Sequence, residues 1–312
     1  MSTLRVGTRR SRLAMIQTRW TTDALSARVP GVDLQIVELS TRGDRIRDVP
    51  LGPTLGQSFF TKEIEDALLR GRIDLAVHSC KDLATNLPPG LALGAVPARE
   101  DPRDALVSRG PGLRDLPAGA RVGTSSMRRK AFLAHARPDL VIEEQRGNVP
   151  TRVSAVDEGR VDAVILAAAG LRRLGMAERI TEVLEPDVML PAASQGALAI
   201  QVRSDDRGTL EIVSALDDPA ARGEVTAERA CLRALGAGCQ APLGALARAS
   251  DGVLSLQVAS VAPHGIVRTR VEGSWAQAEE LGAAAARALL DELGLDTLRD
   301  APWAGPPPRE TG

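Results

Sequence analysis

The sequence predicts an α/β protein with two similar domains, followed by a small α+β domain toward the C-terminal end. Two repeats predict the paired domains: Arg-Val-Gly-Thr occurs at residues 5–8 and 121–124, and Gly-Arg-Ile/Val-Asp occurs at 71–74 and 159–162. In both copies a helical pattern leads into the glycine and a short apolar run follows it, which is typical of α/β units with parallel strands. A third observation predicts the last domain, because three strand-like runs and a helix follow residue 242.

The composition indicates a soluble globular protein and excludes several classes. At 312 residues the chain is too long for one ordinary core. The 39 Lys and Arg residues nearly cancel the 40 Asp and Glu residues, which argues against a general binder of nucleic acid or membrane surfaces. No apolar run is long enough for a signal peptide or a membrane span, so we expect a cytoplasmic protein.

The first copy of the repeat predicts an anion-binding rim. A strand from Leu4 to Val6 ends at Gly-Thr, and a helix follows within a few residues. Ligands of open α/β sheets lie beyond the carboxyl ends of strands, and a helix N-terminus there offers N–H groups and a positive dipole. Arg9, Ser11 and Arg12 add further donors.

The second copy predicts a matching rim after a strand from Ala120 to Val122. Its donors are hydroxyl and guanidinium groups, at Thr124, Ser125, Ser126, Arg128 and Arg129. Two facing rims would enclose one cleft. The alternative is that the basic run at 128–130 only solvates a helix surface, but the duplication favours binding.

Further arginines surround predicted turns. Arg146 and Arg152 flank a Gly-Asn turn before a helix that is expected to start near Thr151, and Arg172 and Arg173 follow the second repeated strand. A guanidinium donates two parallel hydrogen bonds to a carboxylate and stays charged. The set therefore predicts a polycarboxylate or phosphate ligand.

Asp82 follows the first repeated strand, where such folds place reactive groups. Beside Lys81 and the arginines its carboxylate should stay ionised and could stabilise a developing cation. The alternative is that Asp82 caps the next helix.

Three cysteines occur without the spacing of metal ligands, so we expect reduced thiols and no metal. Cys231 lies on an apolar helix face and is predicted to be a core residue. Cys80 is either activated by Lys81 or buried at a strand end. Cys239 lies in Gly-Ala-Gly-Cys, on a predicted loop that favours a covalent attachment.

Proline-bearing stretches at 98–106 and 185–200 predict two hinges around an inserted domain. The predicted limits are 1–97 with 197–217 for the first domain, 102–190 for the second, 219–300 for the third and 301–312 for a disordered tail. In the third domain we expect a helix that carries residues 225–235, strands at 243–249, 253–261 and 266–272, and a helix at 276–293.

Eight stretches, taken together and in chain order, resemble the porphobilinogen deaminase (hydroxymethylbilane synthase) family. They are GTRRSRLA, STRGD, AVHSCKDL, REDPRDALVS, VGTSSMRRKAFL, RGNVPTR, AAAGLRRLG and GCQAPLG. The resemblance implies a cytosolic transferase of tetrapyrrole (haem and porphyrin) biosynthesis, which condenses four porphobilinogen molecules and releases ammonia. It also implies two domains similar to type II periplasmic binding proteins and a third that carries a covalent dipyrromethane cofactor.

The resemblance also assigns roles to residues. It implies that Cys239 anchors dipyrromethane through a thioether, and that Asp82 and Lys81 are catalytic. The implied cofactor-binding positions are Ser11, Lys81, Asp82, Thr124, Ser126, Arg128, Arg129, Arg146 and Gly170. The implied substrate-binding positions are Arg9, Arg146, Arg152 and Arg173. It implies a monomer with no metal, nucleic-acid or membrane partner.

The chain departs from the family's usual residues at five positions outside these eight stretches. Gln57 takes the place of a lysine and Ser58 that of a glycine, while Ala84 replaces a proline, Gly236 a glutamate and Ser194 a glycine. Two alternatives stay open: an anion-binding module in which Cys239 has no role, and a paralogue of low activity because of the Gln57 loop. A dinucleotide site is excluded, since no Gly-x-Gly-x-x-Gly follows the first strand.

Overall fold

A computed structural model describes residues 3–41, 61–236, 241–262 and 264–298. These residues contain thirteen strands: β1 Leu4–Arg9, β2 Leu34–Leu39, β3 Leu75–Ser79, β4 Leu91–Ala95, β5 Asp104–Ser108, β6 Arg121–Gly123, β7 Val141–Glu143, β8 Ala163–Ala167, β9 Glu182–Val183, β10 Leu198–Arg203, β11 Leu243–Ser250, β12 Val253–Ala262 and β13 Gly265–Ser274. The same ranges contain eight α-helices: α1 Arg12–Arg28, α2 Lys62–Leu69, α3 Met127–Ala136, α4 Val149–Asp157, α5 Ala168–Arg173, α6 Arg207–Ser214, α7 Pro219–Ala234 and α8 Ala278–Leu293.

The first sheet has the strand order β2-β1-β3-β10-β4. Strands β1, β2 and β3 are parallel, but β10 is antiparallel to both of its neighbours. The repeats predict α/β units with parallel strands, and β10 is the antiparallel addition to this sheet. An apolar run such as 198–203 carries no mark of its direction, and β10 returns to this sheet only after the second sheet is complete.

The second sheet has the order β7-β6-β8-β5-β9 and follows the same plan. Strand β6 is parallel to β7 and β8, and β5 is the antiparallel strand beside β8. The first four strands of each sheet thus correspond in position and direction. The prediction of two similar α/β domains is confirmed.

Within each domain, the Arg-Val-Gly-Thr repeat contacts the Gly-Arg-Ile/Val-Asp repeat, and both domains make this contact in the same way. The backbone N–H of Arg5 donates to Asp74 Oδ2 at 2.8 Å, and the Arg5 guanidinium bonds the glycine carbonyl three residues before that aspartate. Arg121 makes the same pair of contacts with Asp162, at 2.7 Å, and with its preceding glycine. Both glycines have positive φ, 64° and 69°, which L-residues with side chains adopt at a cost.

The third domain packs α7 and α8 against the antiparallel sheet β11-β12-β13. Its core is aliphatic, with Leu254, Leu256 and Leu289 fully buried. All three predicted strands form. The last helix begins at Ala278 instead of Ala276, because the preceding residues form a 3-10 turn capped by Ser274.

Several predicted element limits are corrected by local structure. Strand β1 runs on to Arg9, beyond Val6, and β6 begins and ends one residue later than expected. Helix α4 begins at Val149 with Asn148 as its N-cap, so Pro150 lies in its first turn. Proline is tolerated there because the N–H that it lacks has no partner within the helix.

The predicted domain limits stay predictions, but sheet membership is consistent with them. The first sheet takes its strands from residues 4–95 and 198–203, and the second from 104–183. Among the described residues no helix is long and apolar enough to cross a membrane.

The packing of α7 on α8 predicts a steric requirement for glycine. A Cβ at Gly282 would lie 2.3 Å from the Ala227 carbonyl oxygen and 2.6 Å from Ala230 Cβ. We expect Gly282→Ala to destabilise the protein by about 1–3 kcal/mol in urea denaturation, because the helices must move apart. The control is Gly208→Ala in α6, where the nearest atom is 3.9 Å away and alanine gains up to about 1 kcal/mol of helix propensity. Equal stability of the two variants would contradict this packing.

Candidate active site

One rim of the site is formed where β1 and β3 end. Ser11 is the N-cap of α1 and its Oγ accepts a hydrogen bond at 3.3 Å from the helix backbone three residues later. Strand β3 ends at Ser79, and a 3-10 turn follows that ends at Asp82. Arg9, Ser11 and Asp82 line one small cavity of about 70 Å³. The structure therefore brings these three predicted residues together.

The opposite rim is formed where β6 ends. Ser126 is the N-cap of α3, and its Oγ accepts from the backbone N–H of Arg129 at 3.4 Å. Thr124 is buried, and its Oγ1 accepts from the N–H of Ser126 at 3.3 Å. Ser125 donates to the carbonyl of Gln145. The predicted hydroxyl groups thus surround a helix N-terminus, whose dipole favours anions.

The two rims belong to different sheets, and the helix of the first rim contacts a helix that follows the second sheet's strand β8. Helix α1 contacts helix α5. A Cβ at Gly170 would lie 3.9 Å from Leu13 Cδ2 across this contact.

A buried carboxylate holds the two central arginines. Asp104 on β5 is fully buried; its Oδ2 accepts from Arg128 Nη1 at 2.7 Å and its Oδ1 from Arg129 Nη2 at 2.7 Å. Each guanidinium also donates to a backbone carbonyl, at Leu190 and Ile165. The two arginines are only 4% and 6% exposed, so the alternative that they solvate a helix surface is wrong.

The charges in this cluster determine how Asp104 titrates. Burial alone would raise its pKa, but the neighbouring charges of Arg128 and Arg129 hold the pKa well below its usual range. Sequence reasoning missed Asp104 as a site residue. It lies in the quoted motif REDPRDALVS, but no local pattern distinguishes it from the acidic residues beside it.

Hydrogen bonds through the side chain of Gln195 connect Lys81 to the same cluster. Lys81 Nζ donates to Gln195 Oε1 at 3.1 Å, and Gln195 Nε2 donates to Asp104 Oδ1 at 2.9 Å. Burial, and then repulsion by Arg129, lower the pKa of Lys81 to about 8. Sequence reasoning missed Gln195 too, since a glutamine in an apolar stretch carries no functional signal.

The remaining predicted arginines lie around the second rim. Arg152 donates to the Gly147 carbonyl at 2.9 Å, and burial followed by repulsion from Arg129 lowers its pKa to about 10. Arg173 donates to the carbonyl of residue 196 at 2.7 Å, and burial lowers its pKa as well. Arg146 is exposed, with its Nε 3.7 Å from Glu144 Oε1.

Asp82 is exposed at the mouth of the cavity. The described residues 83–90 contain no helix and lead directly into β4. The alternative that Asp82 caps a following helix is therefore wrong.

The cysteines are placed as follows. Cys231 is fully buried, and burial raises the pKa of its thiol to about 12, so the prediction of a core residue is confirmed. Cys80 is also fully buried and its pKa is raised by burial, which contradicts activation by Lys81. Cys239, Gln57 and Ser58 lie outside the described residues.

Three of the five positions at which the chain departs from the family's usual residues lie in the described part of the chain. Ser194 adopts a positive φ of 62°, a conformation that favours glycine, and its N–H donates to the Glu228 carboxylate. Gly236 also has φ 62°, as the residue after the end of α7, where glycine is the preferred type. The Ala84 carbonyl accepts from Arg229 Nη2 at 2.6 Å.

Two family models match the chain. The model described as "Porphobilinogen deaminase, dipyromethane cofactor binding domain" matches residues 4–211. The model described as "Porphobilinogen deaminase, C-terminal domain" matches residues 223–291.

Curated relatives match over nearly the whole chain. A protein of Roseiflexus castenholzii named porphobilinogen deaminase is 48% identical over 299 residues, which are 95% of this chain and 99% of the relative. One of Deinococcus radiodurans with the same name is 46% identical over 304 residues, 96% of this chain and 98% of the relative. Among solved structures, the BenM effector binding domain with benzoate matches with a TM-score of 0.42 and 16% identity, over 68% of this chain and 90% of that one.

The Asp104 cluster predicts a large, pH-dependent effect on stability. We expect Asp104→Asn to destabilise the protein by about 3–5 kcal/mol at pH 7, because two buried guanidinium groups lose their counter-charge. Since the folded-state pKa of Asp104 lies below its unfolded value of 3.8, its contribution is complete above that value and is lost as pH falls below it. The difference in free energy of unfolding between wild type and variant, measured by urea denaturation, should therefore be constant above about pH 5 and become smaller below pH 3.8.

The matched control is Asp139→Asn, which weakens an ion pair with Arg137 in which the aspartate is 38% exposed. It should cost less than about 1 kcal/mol. If Asp104→Asn costs no more than this control, the cluster does not hold the fold together.

Proposed function

The chain belongs to the porphobilinogen deaminase family, and on that premise we propose that it condenses four porphobilinogen molecules head to tail, releasing ammonia and linear hydroxymethylbilane. The observation that carries this proposal is the match of the two family models to residues 4–211 and 223–291. The enzyme is a transferase of tetrapyrrole biosynthesis.

Dipyrromethane is the cofactor of this enzyme, and the described residues fit it. Each of its two pyrroles carries an acetate and a propionate, so it is a polyanion. Lys81 and Arg152 both have pKa values lowered by burial and by repulsion from Arg129, which indicates an excess of positive charge at the site. Several carboxylates would relieve this repulsion. When bound, the cofactor supplies a covalent pyrrole primer for the growing chain.

The residues proposed to hold the cofactor come from both rims. Cys239 anchors it through a thioether. The helix N-termini at Ser11 and Ser126 offer N–H groups and positive dipoles to its carboxylates. The other proposed contacts are Lys81, Asp82, Thr124, Arg128, Arg129, Arg146 and Gly170.

Asp82 is proposed to act on the reacting substrate. Its carboxylate is exposed at the mouth of the cavity. There it is proposed to accept hydrogen bonds from pyrrole N–H groups. When ammonia leaves porphobilinogen, positive charge develops on the substrate, and a fixed carboxylate stabilises it. Arg9, Arg146, Arg152 and Arg173 are proposed to bind the substrate's acetate and propionate groups, because guanidinium pairs with carboxylate in a planar fork.

We further propose that the chain works as a monomer in the cytoplasm, with no nucleic-acid or membrane partner. The net charge of −1 supports the absence of a polyanionic partner. The buried free thiols of Cys80 and Cys231 are compatible with a reducing compartment.

The covalent anchor is tested by the mass of the intact protein. We expect the wild-type mass to exceed the sequence mass by two linked pyrrole units, and Ehrlich's reagent to stain the protein. Cys239→Ala should show neither, whereas Cys231→Ala should keep both, because Cys231 is a buried core residue.

An unmodified wild-type mass that stays unmodified after addition of porphobilinogen would favour an anion-binding module without chemistry. An excess mass without product formation would instead support a paralogue of low activity.

The role of Asp82 is tested by Asp82→Asn. We expect the variant to keep the folded structure and the cofactor mass but to lose turnover by about 100-fold or more, because the developing cation loses its counter-charge. The control is Asp205→Asn. Asp205 is exposed and follows the Arg203 end of β10, whereas the Leu198 end pairs with Ser79, so Asp205 is remote from the site. Turnover of Asp82→Asn equal to that of the control would refute the assignment.

A further inference from the structure

Gln195 joins the two halves of the active site. It lies between the two sheets along the chain, after the second sheet and just before β10 of the first. Its side chain is 1% exposed and contacts Lys81 from the first sheet and Asp104 from the second.

The surroundings determine how the amide is oriented. Gln195 Nε2 donates to the Pro102 carbonyl at 2.7 Å and to Asp104 Oδ1 at 2.9 Å. Both partners are acceptors, so the nitrogen must face them and the oxygen must face Lys81. The Lys81 ammonium has only donors and therefore finds an acceptor in the right place. The backbone of Gln195 is held too, since its carbonyl accepts from Arg99 Nε at 2.9 Å.

We propose that Gln195 is a positioning residue that holds the Lys81 ammonium in register with the Arg128–Asp104–Arg129 cluster across the boundary between the two sheets. This inference rests on the proposed function, in which Lys81 binds ligand carboxylates beside the two arginines. A neutral amide suits this position because it passes the negative polarity of Asp104 on to Lys81 without adding a second buried charge.

The charged groups around Lys81 make this contact measurable. Asp82 on its own turn and Asp104 on β5 favour the ammonium, whereas Arg128 and Arg129 on α3 and burial disfavour it. With these opposing contributions the pKa lies near 8, so Lys81 titrates in a range open to experiment. Loss of the Gln195 acceptor should shift this balance toward the free amine.

Two substitutions at one position should shift the pKa of Lys81 in opposite directions. Gln195→Met removes the acceptor and should lower it by roughly one unit, about tenfold in acidity. Gln195→Glu, which has nearly the same shape, places a carboxylate beside Nζ and should raise it by a similar amount or more. The shift relative to wild type is read in the cofactor-loaded enzyme, in which the cofactor's carboxylates raise the Lys81 pKa of wild type and variants alike. It is obtained from the pH dependence of the rate at which trace acetic anhydride acetylates Lys81, followed by mass spectrometry of the Lys81 peptide.

The pH profile of kcat/KM for porphobilinogen provides a second readout. Since the ammonium binds carboxylates, activity should fall as pH rises through the Lys81 pKa. This fall in kcat/KM should begin about one pH unit lower in Gln195→Met than in wild type, and at a higher pH in Gln195→Glu. The control is Gln201→Met. Gln201 is fully buried and bonded to Glu65, so it tests the loss of a buried amide elsewhere and should leave the Lys81 pKa unchanged.

An unchanged Lys81 pKa in both Gln195 variants would overturn the proposal. Shifts in the same direction would overturn it as well, because they indicate general loosening of the site. If Gln195→Met does not fold, the Gln195→Glu variant alone decides by the direction of its shift. If the Lys81 pKa shifts in opposite directions but the pH dependence of kcat/KM does not change, the contact between Gln195 and Lys81 is supported. The proposed role of Lys81 in binding carboxylates would then be refuted.

Discussion

The carboxylate of Asp104 between Arg128 and Arg129 is the interaction on which the site depends. It lies on the antiparallel strand of the second sheet and fixes the first turn of α3, whose N-terminus forms one rim. Through Gln195 the same carboxylate reaches Lys81 at the other rim. Because a buried charge without partners is strongly unfavourable, the two guanidinium groups and the carboxylate must stay together. This requirement fixes the second rim, and the Gln195 side chain links that rim to Lys81 at the first.

A second buried ion cluster ties the third domain to the same segment. Arg99 donates to the fully buried carboxylate of Glu228 in α7 and to the backbone carbonyl of Gln195. Glu228 also accepts from the N–H groups of Ser194 and Ala247, so it joins α7, β11 and the segment before β10. Helix α7 ends at Ala234, five residues before Cys239 along the chain. The helix that precedes the proposed anchor is therefore attached directly beside the residues that hold Lys81.

Much of the fold and part of the site could be predicted from the sequence, for identifiable reasons. The repeats mark residues that contact each other twice, so Arg5 with Asp74 and Arg121 with Asp162 reveal the duplicated plan. Hydroxyl groups at helix starts and Asp82 at a strand end are local features, and local features can be read from the sequence. The direction of β10, the burial of Arg128 and the contacts of Gln195 could not be predicted, because each is decided by residues 24 to 127 positions away along the chain.

The cations of the site differ in how their charge is balanced. Arg128 and Arg129 are compensated by Asp104, a residue of the protein itself, and this holds them in place whether or not a ligand is bound. Burial, and then repulsion by Arg129, lower the pKa values of Lys81 and Arg152. A site for polyanions needs both kinds. The paired arginines supply a fixed framework, and the carboxylates proposed to bind beside Lys81 and Arg152 would relieve the repulsion of these cations by Arg129.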